Sequence, residues 1–335
     1  MKAAVFHGAG RLTAEEWPRP SIGDGDLLLR LRGCGLCGSD IVKLAGPAPT
    51  APTVLGHEVV GEVVQLGAGV TGFAIGDRVV AAHHVPCGDC HFCRRGSPSM
   101  CRTFKTSNLD PGGFAEYVRV PAPNVLHACF RVPRHVRDED ASFVEPLACC
   151  LRATKRARVE AGDTAVVVGL GSIGCLFVQL LKRLGAAVVG CDPIAERADL
   201  AKRLGADAAG AAALASTMAR ELSEGRGADQ VIVTGGGADV LPWAAEVVRD
   251  GGAIHFFAGG GDALPLRLDT LYHRELTVTA TYSSSPADLQ EAFRLIVAGE
   301  VAVERLITHR VSLGRLAHGV ELMRRREALK VYVTP

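Results

Sequence analysis

Four of the chain's eleven cysteines, Cys87, Cys90, Cys93 and Cys101, fall within PCGDCHFCRRGSPSMC at the spacing C-x2-C-x2-C-x7-C. Four thiolates this close can enclose one tetrahedral zinc and leave no position for water, so such a site builds structure and does no chemistry. An iron–sulfur cluster uses related spacings, but this lobe lacks the further cysteines and redox context expected of one. Upstream, GLCGSD and GHEVVG each supply one ligand suited to a borderline-soft metal, Cys37 and His57. Farther on, FVEPLACC offers three more candidates, Glu145, Cys149 and Cys150. Pro146 suits the first position of a helix, which would leave Glu145 at or just before its N-cap and free to point outward. Cys149 would lie one turn into that helix, on the same side.

A second kind of chemistry is written in GLGSIG, which places Gly169, Gly171 and Gly174 around Ser172 and Ile173. The strand-like TAVVVG precedes it, a helical stretch follows, and AAVVGCD then ends in Asp192. In that context the first glycine allows a tight turn and the second lets backbone approach a pyrophosphate. The third lets helix and strand pack closely. The phosphates would rest on the helix N-terminus, where free N–H groups favour anions. A carboxylate at Asp192 accepts both adenosine ribose hydroxyls and repels a 2′-phosphate, which favours NAD over NADP. Arg197 tempers that preference, since it could serve a phosphate or stack on adenine.

The elements that must position these residues change character near residue 150. Before it, the runs LLLRLRGC, EVVGEVVQLG and GDRVVAAHHV alternate with glycine and proline, which predicts an antiparallel, barrel-like domain. After it, apolar strands alternate with amphipathic helices (SIGCLFVQLLKRLG, PIAERADLAKRLG), and QVIVTG, AIHFFAGG and LTVTATY continue the strands. That alternation predicts a parallel sheet covered on both faces. The last fifty residues break the pattern: SPADLQEAFRLIVAGEV reads as a helix and KVYVTP as a terminal strand. This tail is expected to return to the first domain. The chain is 48% hydrophobic with a net charge of +1, which gives no electrostatic case for nucleic acid or anionic membrane. MKAAVFHGAGRLTAEEW lacks the apolar run of a secretory signal, and no stretch reaches about 18 uninterrupted apolar residues. A cytoplasmic protein is expected.

Taken in order, GHEVVGEV, the GDRV turn, the cysteine lobe, GGFAEYV and GLGSIG resemble the zinc-dependent medium-chain alcohol dehydrogenase superfamily over essentially the whole chain. The resemblance implies an α/β fold: a GroES-like β-rich catalytic domain over 1–149 and 286–335, with a Rossmann NAD-binding domain inserted over 150–285. It implies two zinc ions per subunit, one structural in the cysteine lobe and one catalytic on Cys37, His57 and a third ligand. The ethanol-type branch uses Cys for the third, while the sorbitol, threonine and glucose branches carry Glu, usually as Glu-Pro. Glu145-Pro146 therefore gives Glu145 that role. Glu58 resembles the second acid near the metal, and Asp40 would orient His57 through its other ring nitrogen. Ser39 stands where the family's relay hydroxyl stands.

The implied reaction is reversible oxidation of an alcohol, with zinc as Lewis acid and the nicotinamide as hydride acceptor. This chain departs from several relatives: the relay histidine five residues after the cysteine is replaced by Val42, and the arginine before Tyr282 by Thr281. Lys43, Phe104, Asn108 and Tyr282 are expected to line the substrate pocket. FKTSNLDPGG is polar for a hydrocarbon cleft, which points to a polyol, sugar or cyclitol. The alternative is a simple secondary alcohol or an amino alcohol such as threonine. The resemblance further implies a homodimer or homotetramer.

Overall fold

In a computed structural model, which describes residues 1–47, 49–257 and 265–335, the run LLLRLRGCGL forms the long strand Leu27–Leu36 at the centre of the first unit. It pairs antiparallel with Glu58–Leu66, with Tyr117–Val120 and with the terminal strand Val331–Thr334. Glu58–Leu66 in turn pairs with Arg78–Ala81, and that strand with Cys129–Arg131. A smaller sheet joins Arg11–Glu16, Lys2–Gly8 and Thr53–Val54. Leu29, Val59, Val63, Phe114 and Val331 fill the core of this unit.

The tail supplies part of this framework. Val331–Thr334 lies directly against Leu36, Gly35 and Cys34, while His309–Ser312 runs parallel along its other side. The first unit thus comprises Met1–Ala148 and Ser284–Pro335, and the second Cys149–Ser283.

The second unit is a six-stranded parallel sheet. From one edge its order is Ala208–Gly210, Ala187–Cys191, Thr164–Val168, Ala228–Val233, Val248–Phe256 and Thr277–Ala280. This is the doubly wound order, with the chain reversing direction of winding at the first strand. Thr164–Val168 and Ala228–Val233 are buried along nearly their whole length, as continuous apolar runs covered on both faces require. The predicted GroES-like and Rossmann fold classes are therefore both present.

Two local expectations change. GDRVVAAHHV ends as a strand at Ala81, so Ala82–Val85 is loop. The helix containing FVEPLACC spans Val144–Ala157, which puts Pro146 third rather than first and Glu145 inside the first turn. Proline is tolerated there because the first four N–H groups of a helix have no partner within it. The backbone bond from Leu147 to Phe143 closes the first turn. Of the predicted strand AIHFFAGG, residues 258–260 lie outside the described residues. Among the described residues no helix is long and apolar enough to cross a membrane.

Candidate active site and metal centres

The cysteine lobe is the simplest centre. All four sulfurs of Cys87, Cys90, Cys93 and Cys101 lie within 4.8 Å of one another. Individual Sγ separations are 3.5 Å for Cys90–Cys93 and Cys101–Cys87 and 4.0 Å for Cys87–Cys93. A tetrahedron with zinc–sulfur bonds of about 2.3 Å has edges of about 3.8 Å, a length these three separations bracket, so the donor set suits zinc.

The second centre grows from a helix cap. Cys37 caps Gly38–Ala45, its sulfur accepting from the backbone N–H of Ser39 at 3.4 Å. Asp40 completes the capping box by accepting from the Cys37 N–H at 3.1 Å. Its other oxygen accepts from Gly56 N–H at 3.4 Å and lies 3.4 Å from Nδ1 of His57. One buried carboxylate therefore fixes the cysteine, the turn before the histidine, and the histidine ring. With Nδ1 facing Asp40, Nε2 is the ring nitrogen left to offer a lone pair to a metal. Burial opposes the imidazolium, but Asp40 and Cys37 outweigh it and raise the His57 pKa well above its usual value. Burial also pushes Asp40 up, yet His57 and the Cys37 N–H prevail and hold its carboxyl below the usual range.

Among the described residues, the acid that joins Cys37 and His57 within 4.8 Å is Glu58, whereas the sequence reading assigns the third ligand to Glu145. Glu58 follows His57 directly and begins the strand Glu58–Leu66, which carries its carboxylate to the same place. Glu145 is buried in the first turn of its helix and close enough for its charge to raise the pKa of Lys330.

Lys330 is the partner that sequence reasoning missed. Its Nζ lies 2.5 Å from the Glu58 carboxylate, and neither side chain reaches solvent. Burial disfavours the ammonium, but the charges of Glu58 and Cys37 outweigh it and the pKa is raised. Gly35 makes room for the pair: a Cβ there would stand 1.8 Å from a Glu58 oxygen. The register accounts for this, since Gly35 faces Glu58 on one side and Tyr332 on the other.

Two histidines were also missed, although HH beside the cysteine lobe was a visible signal. The His83 ring lies 4.6 Å from that of His57 and 3.8 Å from that of His84. Burial, then the charges of His57, His84 and Lys43, hold His83 well below the ordinary histidine pKa. Burial lowers His84 to about 4, against the Ser107 carbonyl and with help from Lys43.

Of the expected pocket residues, Lys43 is exposed on Gly38–Ala45 and acts electrostatically on both histidines. Phe104 is only 1% exposed, and its ring lies tilted against that of His84 with centroids 4.9 Å apart. Asn108 is exposed and accepts from the N–H of Leu109, while Tyr282 is exposed in the second unit with its carbonyl held by Arg152. Ser39 is exposed beside Cys37.

In the second unit the glycine turn has the dimensions of a dinucleotide cradle. Gly169 has φ +85°, and a Cβ on Gly174 would fall 1.9 Å from the Gly169 carbonyl oxygen. At Gly171 a Cβ would meet nothing within 4 Å, so the space beside that backbone is open where a pyrophosphate would lie. Ser172 and Ile173 begin the helix Ser172–Arg183. Asp192 accepts from the N–H groups of Leu170 (2.8 Å) and Ile194 (2.9 Å), and Arg197 lies 3.8 Å from it.

Comparison with known proteins agrees with both units. Residues 23–133 match the alcohol dehydrogenase GroES-like domain and residues 172–298 the zinc-binding dehydrogenase domain. A sorbitol dehydrogenase of Halalkalibacterium halodurans is 33% identical, covering 100% of this chain and 99% of its own. D-arabitol-phosphate dehydrogenase of Enterococcus avium is 30% identical over 94% of this chain and 91% of its own. Among solved structures, the alcohol dehydrogenase TADH from Thermus sp. ATN1 superposes with a TM-score of 0.86 at 30% identity, covering 100% and 99% of the two chains. A zinc-binding dehydrogenase from Sinorhizobium meliloti bound to NADP gives 0.89 at 30% identity over the same shares. Full-length likeness of this kind, joined to both donor sets and the glycine turn, means that the chain belongs to the zinc-type medium-chain alcohol dehydrogenase family and is an oxidoreductase.

Proposed function

We propose that the protein is an NAD- and zinc-dependent dehydrogenase acting on a secondary alcohol of a polyhydroxylated substrate: a polyol, sugar or cyclitol. The observation that carries the reading is the approach of Cys37 and His57 to within 4.8 Å, with Asp40 seated on the far nitrogen of His57 and the carboxylate of Glu58 beside them. Relatives named for sorbitol and D-arabitol phosphate support the substrate class.

In this reading 1–149 with 286–335 forms the catalytic domain and 150–285 the NAD-binding domain. Cys37, His57 and Glu145 hold the catalytic zinc, and the four-cysteine lobe holds a second, structural zinc. When bound, zinc supplies Lewis acidity at the substrate oxygen and NAD supplies the hydride acceptor. The protein's own groups do the rest. Asp40 keeps Nδ1 of His57 protonated, so the other nitrogen points at the metal. Glu58, held by Lys330, stands beside the cysteine and histidine as a second acid. Ser39 would take the alcohol proton, and with valine at position 42 that proton would leave through ribose hydroxyl, water or another group. Gly169, Gly171, Ser172, Ile173 and Gly174 receive the pyrophosphate on backbone N–H groups. Asp192 selects NAD, because a 2′-phosphate would meet a buried carboxylate already committed to two backbone donors. The protein works in the cytoplasm as a homodimer or homotetramer on a small-molecule alcohol, without nucleic acid or membrane partners.

The test is NADH formation by the zinc-replete protein across polyols, sugars, cyclitols, simple secondary alcohols and threonine, with NADP in parallel. Turnover is expected on a polyhydroxylated group with NAD. Turnover confined to simple secondary alcohols or threonine would overturn the reading.

A further inference from the structure

Arg78, the arginine of GDRV, takes no part in the chemistry proposed above, yet it makes three bonds to one short stretch of chain. Its Nη1 donates to Asp138 at 2.7 Å, and its Nη2 donates to the carbonyls of Pro133 (2.6 Å) and Val136 (2.9 Å). Two further arginines reach the same stretch. Nε of Arg32 donates to the other oxygen of Asp138 at 2.6 Å, and Arg310 grips Glu139 through Nε (2.6 Å) and Nη2 (2.9 Å). Arg137 closes on Asp140 in the same two-pronged way, at 2.8 and 2.6 Å. An isolated surface ion pair is weak, but two-pronged guanidinium pairs joined in a network fix geometry as well as charge.

The stretch so held runs straight into Glu145. Asp138–Ala141 is a short helix, and its turn continues through Ser142 and Phe143. The Ser142 N–H donates to the Asp138 carbonyl at 3.1 Å, its hydroxyl to the Glu139 carbonyl at 2.7 Å, and the Phe143 N–H to the Asp140 carbonyl at 3.1 Å. The helix Val144–Ala157 begins at the next residue, and Ser142 and Phe143 are fully buried, so no slack separates the clamp from Glu145. The arginines themselves come from the strands around the metal centre. Arg32 lies on Leu27–Leu36, which ends directly before Cys37. Arg78 stands opposite Glu62 on Glu58–Leu66, the strand that His57 leads into. Arg310 stands opposite Tyr332, two residues after Lys330.

We propose that Arg78, with Arg32 and Arg310 beside it, is a positioning residue for the catalytic metal: through Asp138 and Glu139 it sets Glu145 relative to Cys37 and His57. The proposal rests on the reading of Glu145 as third zinc ligand and deepens it. A ligand in the first turn of a helix stands wherever that helix starts, and a metal site needs its donors held within about 0.5 Å of the right place. The clamp ties that start to the strands carrying the other members of the centre. Arg78 suits the task because one planar fork serves a carboxylate and two carbonyls at once, which an ammonium does not.

The experiment follows zinc release to a chelator from the zinc-loaded wild type, Arg78→Met, Arg78→Lys, Asp138→Asn, Arg30→Met and Glu145→Ala. Cys37→Ala gives the release rate of the lobe zinc alone. Arg78→Met should release the catalytic zinc about 10- to 100-fold faster with the lobe zinc unchanged, and Arg78→Lys should fall between it and the wild type. With cobalt in the catalytic site, the visible absorption bands of Arg78→Met should shift, which a loss of stability alone does not produce. Arg30→Met removes an exposed ion pair to Glu62 from the same sheet and should match the wild type. An unchanged cobalt spectrum, or catalytic-zinc release within about threefold of the wild type, would overturn the proposal. An equal effect in Arg30→Met would overturn it as well. If Arg78→Met does not fold, Asp138→Asn, which frees both Arg78 and Arg32, decides by the same criteria. Glu145→Ala separates the two levels. If it keeps its catalytic zinc, the ligand assignment fails and the proposal with it; if it loses that zinc while Arg78→Met keeps it, the proposal alone fails.

Discussion

Removing the Lys330 ammonium should be among the most damaging single changes in the first unit, and the reason is quantitative. Glu58 is 0% exposed and Lys330 nearly so, their charged atoms 2.5 Å apart, so water cannot replace either partner. Glu145 and Cys37 also act on the ammonium, so Lys330→Met would leave Glu58 buried beside two other groups that carry negative charge. Breaking a buried pair from one side costs about 3–5 kcal/mol, chiefly the penalty of stranding the other charge. In a unit of this size about 1 kcal/mol moves the melting temperature by about 2–4 °C, so a drop of about 6–20 °C is expected. Glu58→Gln should cost a comparable amount by stranding the lysine. The double variant Lys330→Met/Glu58→Gln should recover most of the loss, because both charges are then gone and the volume is kept. The assay is scanning calorimetry of the zinc-replete proteins, with urea unfolding to convert shifts to free energies. Additive losses in the double variant, or a loss below about 1 kcal/mol for Lys330→Met, would refute the reasoning.

Glu145→Ala should lose the catalytic zinc and the activity while keeping one zinc per subunit in the cysteine lobe; two zinc ions with full activity would transfer the third-ligand role elsewhere, with Glu58 the nearest acid. Asp192→Ser should lower kcat/KM with NAD by at least about tenfold and improve NADP, since it removes the anion that opposes a 2′-phosphate and leaves Arg197 nearby; an unchanged ratio would deny Asp192 its selecting role. His255 is fully buried between Thr279 (2.7 Å) and Thr281 (2.9 Å), and burial, aided by the charge of Arg156, lowers its pKa to about 4. The unfolded chain then binds the proton first, so stability is complete above pH about 6.5 and falls as the pH drops toward 4. Between pH 6.5 and 5.0 this is worth about 2 kcal/mol, and His255→Gln should flatten that part of the urea-stability profile.

How much of this could be read from the sequence depended on distance along the chain. The cysteine lobe was legible because its four ligands lie within fifteen residues and need only one metal to come together. GLGSIG was legible because the strand before it and the helix after it are contiguous with it. Asp40 could be placed because it lies in the same capping turn as Cys37. The Lys330–Glu58 pair was not legible, as 272 residues separate its members and a lysine in KVYV looks like an ordinary strand residue. Only the register of Val331–Thr334 against Leu27–Leu36 brings them together. The packing of Phe104 against His84 was not legible either, because an aromatic after the cysteine lobe could face either a pocket or the core. The start of the Val144 helix was misplaced because proline is acceptable anywhere in a first turn.

The central claim is that Cys37 and His57 hold a zinc that is needed for alcohol oxidation and is separate from the one in the cysteine lobe. The most direct test is the zinc content per subunit of the wild type and Cys37→Ala, measured on the same samples whose NADH formation is assayed. The account predicts two zinc ions and activity in the wild type, and one zinc without activity in the variant. A wild type that carries a single zinc, or a variant that still oxidises the substrate, would contradict it.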